Sequence, residues 1–177
     1  MCVIIVKPRG IQMPSESILR AAYNVNSDGC GFVSENDYFK TLDYSQFITR
    51  LRKCNTDENV IIHFRLATHG SVKVSNCHPF INKGLFFAHN GILDIKPTGD
   101  TTDSETALRK YIRPACDRHG FGTPLFNEIC REIAGYSKFA MMQNGEICLT
   151  GNYADIDGVL YSNVRFYNHF LNNRRIV

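Results

Sequence analysis

The segment KFAMMQNGEICLTG, residues 138–151, is typical of two antiparallel strands joined by a tight turn. Asn144-Gly145 stands between two apolar runs, and this dipeptide favours the type I′ turn because both central residues of that turn need a positive φ. The pattern therefore predicts a β-hairpin, and with it an antiparallel sheet.

Outward from this hairpin, further strand patterns recur along the chain. Residues 29–44 predict a second hairpin that turns near 35–37, and GLFFAHNGIL at 84–93 predicts strand, Asn-Gly turn and strand. Short β-branched runs predict additional strands at 3–6, 59–68 and 158–163.

Helical patterns lie between these strands. Segments with apolar residues at helical spacing predict helices at 14–25, 45–54, 101–120 and 124–135. The strands come as hairpins and the helices as pairs, so the regular strand–helix–strand alternation of parallel sheets is missing. We therefore expect an α+β fold in which antiparallel sheets are covered by helices.

The composition limits the class of protein. The 177 residues, 44% of them apolar, suffice for one domain with a sizeable core, and a dispersed net charge of +3 gives no support to a nucleic-acid partner. The seven cysteines are odd in number and form no C-x-x-C pair, which favours a reducing compartment over a disulfide framework. The sequence has no signal-peptide core and no run of about 20 apolar residues. We therefore expect a single cytoplasmic domain over 1–177 with no membrane partner.

Cys2 has two interpretations. A small residue beside a short apolar run fits a buried strand. If Met1 is removed, however, Cys2 carries a thiol and a free α-amine on neighbouring atoms. That amine has an ordinary pKa of about 7.7–8.0, so part of it is unprotonated near neutral pH and can accept the thiol proton. One residue would then supply both the nucleophile and its base.

The segment HFRLATHGS, residues 63–71, carries an arginine in the predicted strand and polar residues in the turn after it. Strand alternation puts His63 and Arg65 on one face. The guanidinium of Arg65 matches a carboxylate bidentately, and Thr68 and His69 in the turn can add hydrogen bonds. The alternative is an arginine at a sheet edge that pairs with an internal acid.

Two short motifs further along have both a structural and a catalytic interpretation. Asn90-Gly91 is a hairpin signal, but the side-chain amide of Asn90 and the backbone N–H of Gly91 can also form an oxyanion hole. TTDSETAL, residues 101–108, has the T-x-x-E spacing of a capping box before a helix. Asp103 in that first turn suits the helix dipole, or it can receive a substrate ammonium group.

The other polar motifs predict no ligand site. The Gly-rich turn NSDGCGF at 26–32 lacks the G-K-[ST] of a phosphate loop. The histidines between 63 and 89 match no common zinc spacing, and no cysteine or carboxylate pair completes them. We therefore expect neither a metal nor an organic cofactor.

Cys2 at the second position, followed in order by DGCGF, RLATHG, NCHPF, HNG and DSE, resembles the class II glutamine amidotransferase domain. This domain is the glutaminase of the N-terminal-nucleophile (Ntn) hydrolase type. The resemblance runs by motif from Cys2 to about residue 110, and more loosely over 138–163. It implies a four-layer αββα sandwich of two antiparallel sheets covered by helices.

The resemblance also implies a role for each motif residue. After loss of Met1, Cys2 would attack the side-chain amide of glutamine, ammonia would leave, and water would hydrolyse the γ-glutamyl thioester. The other roles would fall to Asn90 and Gly91 as oxyanion donors, to Arg65 with Thr68 and His69 at the α-carboxylate, and to Asp103 at the α-ammonium group.

Many members of this family fuse the domain to a synthase that uses the ammonia, whereas 1–177 carries no pattern of a second domain. We therefore expect a separate synthase subunit to receive the ammonia. Two alternatives stay open. The chain acts by itself as an amidohydrolase on another γ-glutamyl or side-chain amide, or it is a catalytically silent interaction module of the same fold.

Overall fold

The computed structural model describes residues 1–67, 71–97, 99 and 101–167. The strands within these residues are β1 (Val3–Lys7), β2 (Cys30–Ser34), β3 (Tyr38–Thr41), β4 (Val60–Phe64), β5 (Phe80–Asn82), β6 (Leu85–Asn90), β7 (Lys138–Gln143), β8 (Glu146–Thr150), β9 (Ala154–Ile156) and β10 (Val159–Tyr161). The α-helices are α1 (Glu16–Asn24), α2 (Tyr44–Leu51), α3 (Asp103–Ala107), α4 (Arg113–His119) and α5 (Pro124–Ala134). A π-helical turn, Leu108–Ile112, joins α3 to α4, and a 3₁₀ turn covers Val74–Asn76.

The strands form two antiparallel sheets. One has six strands in the order β3-β2-β4-β1-β10-β9, and the other has four in the order β5-β6-β7-β8. β1 is therefore central in its sheet, between β4 and β10, and Val3 lies opposite Phe64. This register brings the start of β1 next to the end of β4.

Three apolar layers hold the sheets and helices together. One layer packs α1 and α2 against the six-stranded sheet, and a second packs the helical segments from α3 to α5 against the four-stranded sheet. The third lies between the sheets, and its buried members are Ile4, Val6, Val33, Ile61, Ala88, Ala140 and Met142. The order of layers is helix, sheet, sheet, helix, which confirms the predicted four-layer αββα sandwich and the α+β class.

Strand alternation decides which side chains face the other sheet. Val3 and Ile5 pack toward the helices, whereas Ile4 and Val6 point into the layer between the sheets. Continuing this period back by two residues directs Cys2 to the end of that inter-sheet layer. On β6 the same argument directs Asn90 inward, because Ala88 is a member of the inter-sheet layer.

Most predicted elements are confirmed, and local signals set several of their ends. Asn144 and Gly145 have φ of 51° and 80°, as a type I′ turn requires. The side chain of Asp43 accepts from backbone N–H groups at the start of α2, and Thr123 does the same at the start of α5.

The prediction of a hairpin around Asn90-Gly91 is wrong. β6 ends at Asn90 and no strand follows it directly; its partners are β5 and β7. The turn between β5 and β6 lies instead at Lys83 and Gly84, with φ of 48° and 78°. Gly91 has φ of 146°, which does not fit a type I′ turn, so this Asn-Gly pair ends a strand without reversing the chain.

The strand predicted at 59–68 is shorter than expected, because β4 ends at Phe64 and leaves Arg65 one residue beyond it. The helix predicted over 101–120 is present as α3, the π-helical turn and α4, and it stops at Gly120 as predicted. No helix in the described part of the chain is long and apolar enough to cross a membrane.

Candidate active site

A cavity of about 560 Å³ opens at the end of the inter-sheet layer where β1 begins. Cys2, Arg65, Gly91 and Asp103 all line it, so four of the site residues predicted from sequence border one space. They come from positions far apart in the chain: before β1, after β4, after β6 and at the start of α3. Its apolar wall consists of Leu66, Ala67, Ile92, Leu93, Ile95 and Pro97.

The thiol of Cys2 is held against the chain that follows β4. Its Sγ lies 3.4 Å from the backbone N of Leu66 and 3.5 Å from the carbonyl oxygen of the same residue. Burial raises the pKa of the Cys2 thiol, although the Leu66 N–H and the positive charges of the N-terminus and Arg65 lower it in part. The thiol is therefore protonated near neutral pH and needs a base before it can attack. Met1, which precedes Cys2, is 53% exposed.

Arg65 is only 4% exposed and borders the cavity. Its backbone N–H donates to Gly29 O at 2.8 Å, and its Nη1 donates to Ser71 O at 3.2 Å. The backbone of Arg65 is therefore fixed to the residue that precedes β2, and its guanidinium is partly shielded from water. A carboxylate in the cavity could pair with that guanidinium.

Asp28, from the DGCGF motif, orders the segment after β4. Its carboxylate accepts from the Ala67 N–H at 2.8 Å, and its own N–H donates to Arg65 O at 3.0 Å. Gly29 has φ of 137°, and a Cβ there would lie 2.3 Å from Cys77 Sγ. The motif is visible in the sequence but the role of Asp28 is not, because only the folded chain brings it to Ala67.

Asn90 and Gly91 lie at the end of β6. Gly91 borders the cavity, and a Cβ there would lie 2.2 Å from Ser137 Oγ, so only glycine fits without movement of its neighbour. Asn90 is buried and is not among the residues that line the cavity. Its Nδ2 lies 2.8 Å from Ser162 Oγ, and its Oδ1 is buried without a hydrogen-bond partner among the described residues.

Asp103 is the first residue of α3 and borders the cavity. Its Oδ1 accepts from the Ser104 N–H at 2.7 Å, and its Oδ2 accepts from the Leu93 N–H at 3.2 Å. Thr102 caps the helix by accepting from the Glu105 N–H at 3.1 Å. The capping box is only half formed, because the Glu105 carboxylate pairs with Arg109 instead.

Thr68 and His69, the other two predicted site residues, lie outside the described residues. The cavity wall on either side of them is formed by Ala67 and Ser71.

Three buried histidines, His63, His78 and His89, form a cluster beside the cavity, and His78 and His89 line it. The rings of His63 and His78 are 4.3 Å apart between centroids, and His63 Nε2 donates to His89 O at 3.1 Å. His89 Nδ1 lies 2.8 Å from Ser104 Oγ, and that hydroxyl donates to Asp103 Oδ1 at 3.1 Å. The histidine ring thus orients Asp103 through one serine, a link that sequence spacing did not reveal.

Burial keeps these histidines neutral. It lowers the pKa of His63 to about 3 and that of His78 well below its ordinary value. It lowers the pKa of His89 to about 4, against the opposing effect of the Asp103 carboxylate. Among the described residues, no group of three or more His, Cys, Asp or Glu side chains is arranged to hold a metal ion.

The histidine cluster predicts a loss of stability in acid. Below pH 6.5 the unfolded chain binds protons that the folded chain excludes until about pH 4 or lower. The free energy of unfolding should therefore fall with pH over this window, by about 1.4 kcal/mol per pH unit for each histidine. Urea denaturation at pH 7, 6 and 5 measures it.

A matched variant isolates the histidine contribution. His78→Phe keeps an aromatic ring against Phe80 and His63 but removes one titrating group. We expect its slope of stability against pH to be smaller by about 1.4 kcal/mol per pH unit. An unchanged slope, or a parent whose stability is flat over this range, would contradict the assignment.

Comparisons with known proteins agree on the family. The family model described as "Glutamine amidotransferases class-II" matches residues 42–164, well over half of the chain. That range contains Arg65, Asn90, Gly91 and Asp103 and begins after Cys2. A Haemophilus influenzae protein provisionally named a glutamine amidotransferase is 32% identical over 108 residues, which cover 50% of this chain and 36% of that protein.

A solved structure has the same fold. Glutamine phosphoribosylpyrophosphate (PRPP) amidotransferase from B. subtilis, complexed with ADP and GMP, superposes with a TM-score of 0.59 at 17% identity. The match covers 96% of this chain and 43% of that one. The chain thus spans less than half the length of both relatives.

Proposed function

This chain belongs to the class II glutamine amidotransferases, and from that membership we propose that it hydrolyses the side-chain amide of glutamine to glutamate and ammonia. The observation that carries the proposal is the shared cavity, in which the Cys2 thiol, the Arg65 guanidinium and the Asp103 carboxylate border one space. A cation and an acid beside one nucleophile suit a small zwitterion that carries an amide.

The proposed reaction begins with removal of Met1, which frees the amine of Cys2. This amine accepts the thiol proton, and Sγ attacks the amide carbon of glutamine. The oxygen of the tetrahedral intermediate receives hydrogen bonds from the Gly91 N–H and the Asn90 side-chain amide. Its collapse breaks the C–N bond, the amine of Cys2 returns the proton, and ammonia leaves. Water then attacks the γ-glutamyl thioester, which releases glutamate and restores the thiol.

Substrate recognition is proposed to use both charged ends of glutamine. Arg65, with Thr68 and His69, binds the α-carboxylate, and Asp103 binds the α-ammonium group. Arg65 and Asp103 are both held in place by hydrogen bonds to backbone, so little side-chain entropy is lost on binding.

We further propose that the ammonia passes to a separate synthase partner and that the protein works in the cytoplasm. The odd cysteine count without C-x-x-C pairs favours a reducing compartment, and all seven cysteines are free thiols.

A second substrate class is favoured by the size of the cavity. Glutamine has roughly ten non-hydrogen atoms, which would fill about 300 Å³ even at the ~30 Å³ that each water molecule occupies in the liquid. The cavity measures about 560 Å³ and has an apolar wall that includes Ile92 and Pro97. A γ-glutamyl amide with an apolar substituent on its nitrogen would use that wall.

A panel of amides tests the proposal. Trimmed protein, with loss of Met1 verified by mass spectrometry, is incubated with glutamine, asparagine, an N-alkyl γ-glutamyl amide and glutamine without its α-ammonium group. We expect glutamine to give the highest kcat/KM, measured as glutamate and ammonia. Faster turnover of the N-alkyl amide would assign the second substrate class. Turnover of none of these amides would indicate a catalytically silent module of this fold.

A further inference from the structure

Ser162 directly follows β10 and links the nucleophile strand to Asn90. Its side chain is 1% exposed. Its backbone N–H donates to Ile4 O at 2.9 Å, and its Oγ accepts from the Ile4 N–H at 2.8 Å. The same Oγ lies 2.8 Å from Asn90 Nδ2. One hydroxyl therefore joins β1 of the six-stranded sheet to the end of β6 in the four-stranded sheet.

The hydrogen-bonding capacity of this pair favours one orientation of the Asn90 amide. Ser162 Oγ already accepts from Ile4 and still has its own proton to donate. Among the described residues, Oδ1 of Asn90 is buried without a partner. A half-turn of the amide exchanges its two ends, so that Oδ1 accepts the serine proton and Nδ2 takes the place of the unpartnered oxygen. The serine proton and Oδ1 are then paired with each other, and the N–H groups of Asn90 are left for another acceptor.

We propose that Ser162 is a positioning residue for the oxyanion donor: its hydroxyl donates to Asn90 Oδ1 and leaves an Nδ2–H for the oxygen of the tetrahedral intermediate. This inference rests on the proposed glutaminase reaction and adds a residue to it. Ser162 does not line the cavity and acts through Asn90.

The next residue fixes the nucleophile itself. Asn163 Nδ2 donates to the carbonyl oxygen of Cys2 at 2.7 Å, and Lys138 Nζ donates to the carbonyl of Ser162. Residues 162 and 163 therefore connect the backbone of the nucleophile and the side chain of the oxyanion donor to the same short segment after β10.

Ser162→Ala tests the proposal. We expect kcat for glutamine to fall by about 10- to 100-fold, somewhat less than the 10²–10³ that follows loss of an oxyanion donor, with KM within about twofold of the parent. The double variant Asn90→Ala/Ser162→Ala should be no slower than Asn90→Ala, because Ser162 acts through that side chain. Ser162→Cys, which keeps a weaker donor in a similar volume, should be intermediate and serves if the alanine variant does not fold.

Ser34→Ala is the matched control. Ser34 is also a buried serine of the six-stranded sheet, 4% exposed, and its Oγ accepts backbone N–H groups of Asn36 and Asp37 at the end opposite Cys2. It should lose stability but keep kcat. A parent-like kcat in both Ser162 variants, or effects of Ser162 and Asn90 that multiply, would overturn the proposal.

Failure of the proposed function would look different. A trimmed parent that releases no glutamate refutes the glutaminase reaction, and Ser162 is then judged by unfolding alone. The same double-mutant cycle in urea should give effects of Asn90→Ala and Ser162→Ala that are not additive, whereas additive effects would refute the link between the two side chains.

Discussion

We expect a Cys2→Ala variant to keep its fold and to lose at least about 10⁴-fold of the rate of glutamate release from glutamine. Cys2 borders the cavity at the end of the inter-sheet layer, and its Sγ contacts Leu66 there. Alanine removes this sulfur but leaves β1, which begins at Val3, unchanged. Glutamate release and urea unfolding measure the two quantities.

Cys54→Ala is the control for that substitution. Cys54 is the other half-buried thiol of the chain, and it lies just beyond α2. Its loss should leave the rate within about twofold of the parent. If Cys2→Ala released glutamate as fast as Cys54→Ala, Cys2 would not be the nucleophile.

A second variant tests the role of the Cys2 α-amine and leaves the thiol unchanged. One lysine inserted between Met1 and Cys2 prevents trimming and turns the amine of Cys2 into an amide. Because burial raises the pKa of the thiol, the reaction then lacks its base, and we expect a loss of about 10²–10⁴-fold. Parent-like activity in a chain shown by mass spectrometry to retain Met1 and the inserted lysine would contradict the mechanism.

The second large effect concerns the two charges proposed to bind glutamine. Arg65→Met should lower kcat/KM for glutamine by about 10³-fold, because the substrate carboxylate would lose its buried bidentate partner. Arg65→Lys should recover only part of the loss, since an ammonium group lacks the planar fork. A smaller loss for Met than for Lys would refute the assignment.

The substrate specificity of an Asp103→Asn variant tests the role proposed for Asp103. The parent should prefer glutamine over the analogue that lacks the α-ammonium group, and the variant should lose at least about tenfold of that preference. Asparagine at this position can still accept the Leu93 N–H, so the segment after Gly91 keeps its anchor. Equal preference in parent and variant would place the ammonium group elsewhere.

Local signals in the sequence were sufficient for much of the fold. Asn144-Gly145 predicts its hairpin, and the apolar spacing over 124–135 predicts α5, because turns and helices depend on residues close together in the chain. Asp157-Gly158, with φ of 54° and 80°, is an equally good turn signal, yet the strand before it, β9, has only three residues and was missed. The same Asn-Gly dipeptide at 90–91 led to a wrong prediction of a hairpin. Its glycine is required by close packing against Ser137 and not by a turn.

The candidate site was also only partly predictable from the sequence. Cys2, Arg65 and Asp103 were suggested by residue type and motif, and the fold brings them to one cavity. Asp28 and Ser162 could not be assigned from sequence, because their partners lie 39 and 72 residues away along the chain. The Asp28 contact follows from the pairing of β2 with β4, and the Ser162 contact follows from how the two sheets stack. No local pattern encodes either.

The hydrogen bond from Asn163 to the carbonyl of Cys2 joins residues 161 positions apart. During synthesis the second residue leaves the ribosome long before Asn163, which holds its carbonyl oxygen. A partly made chain therefore lacks this anchor for the backbone of Cys2 until the segment after β10 has been made. For the same reason, we expect a protease cut just before Ser162 to loosen the backbone of Cys2.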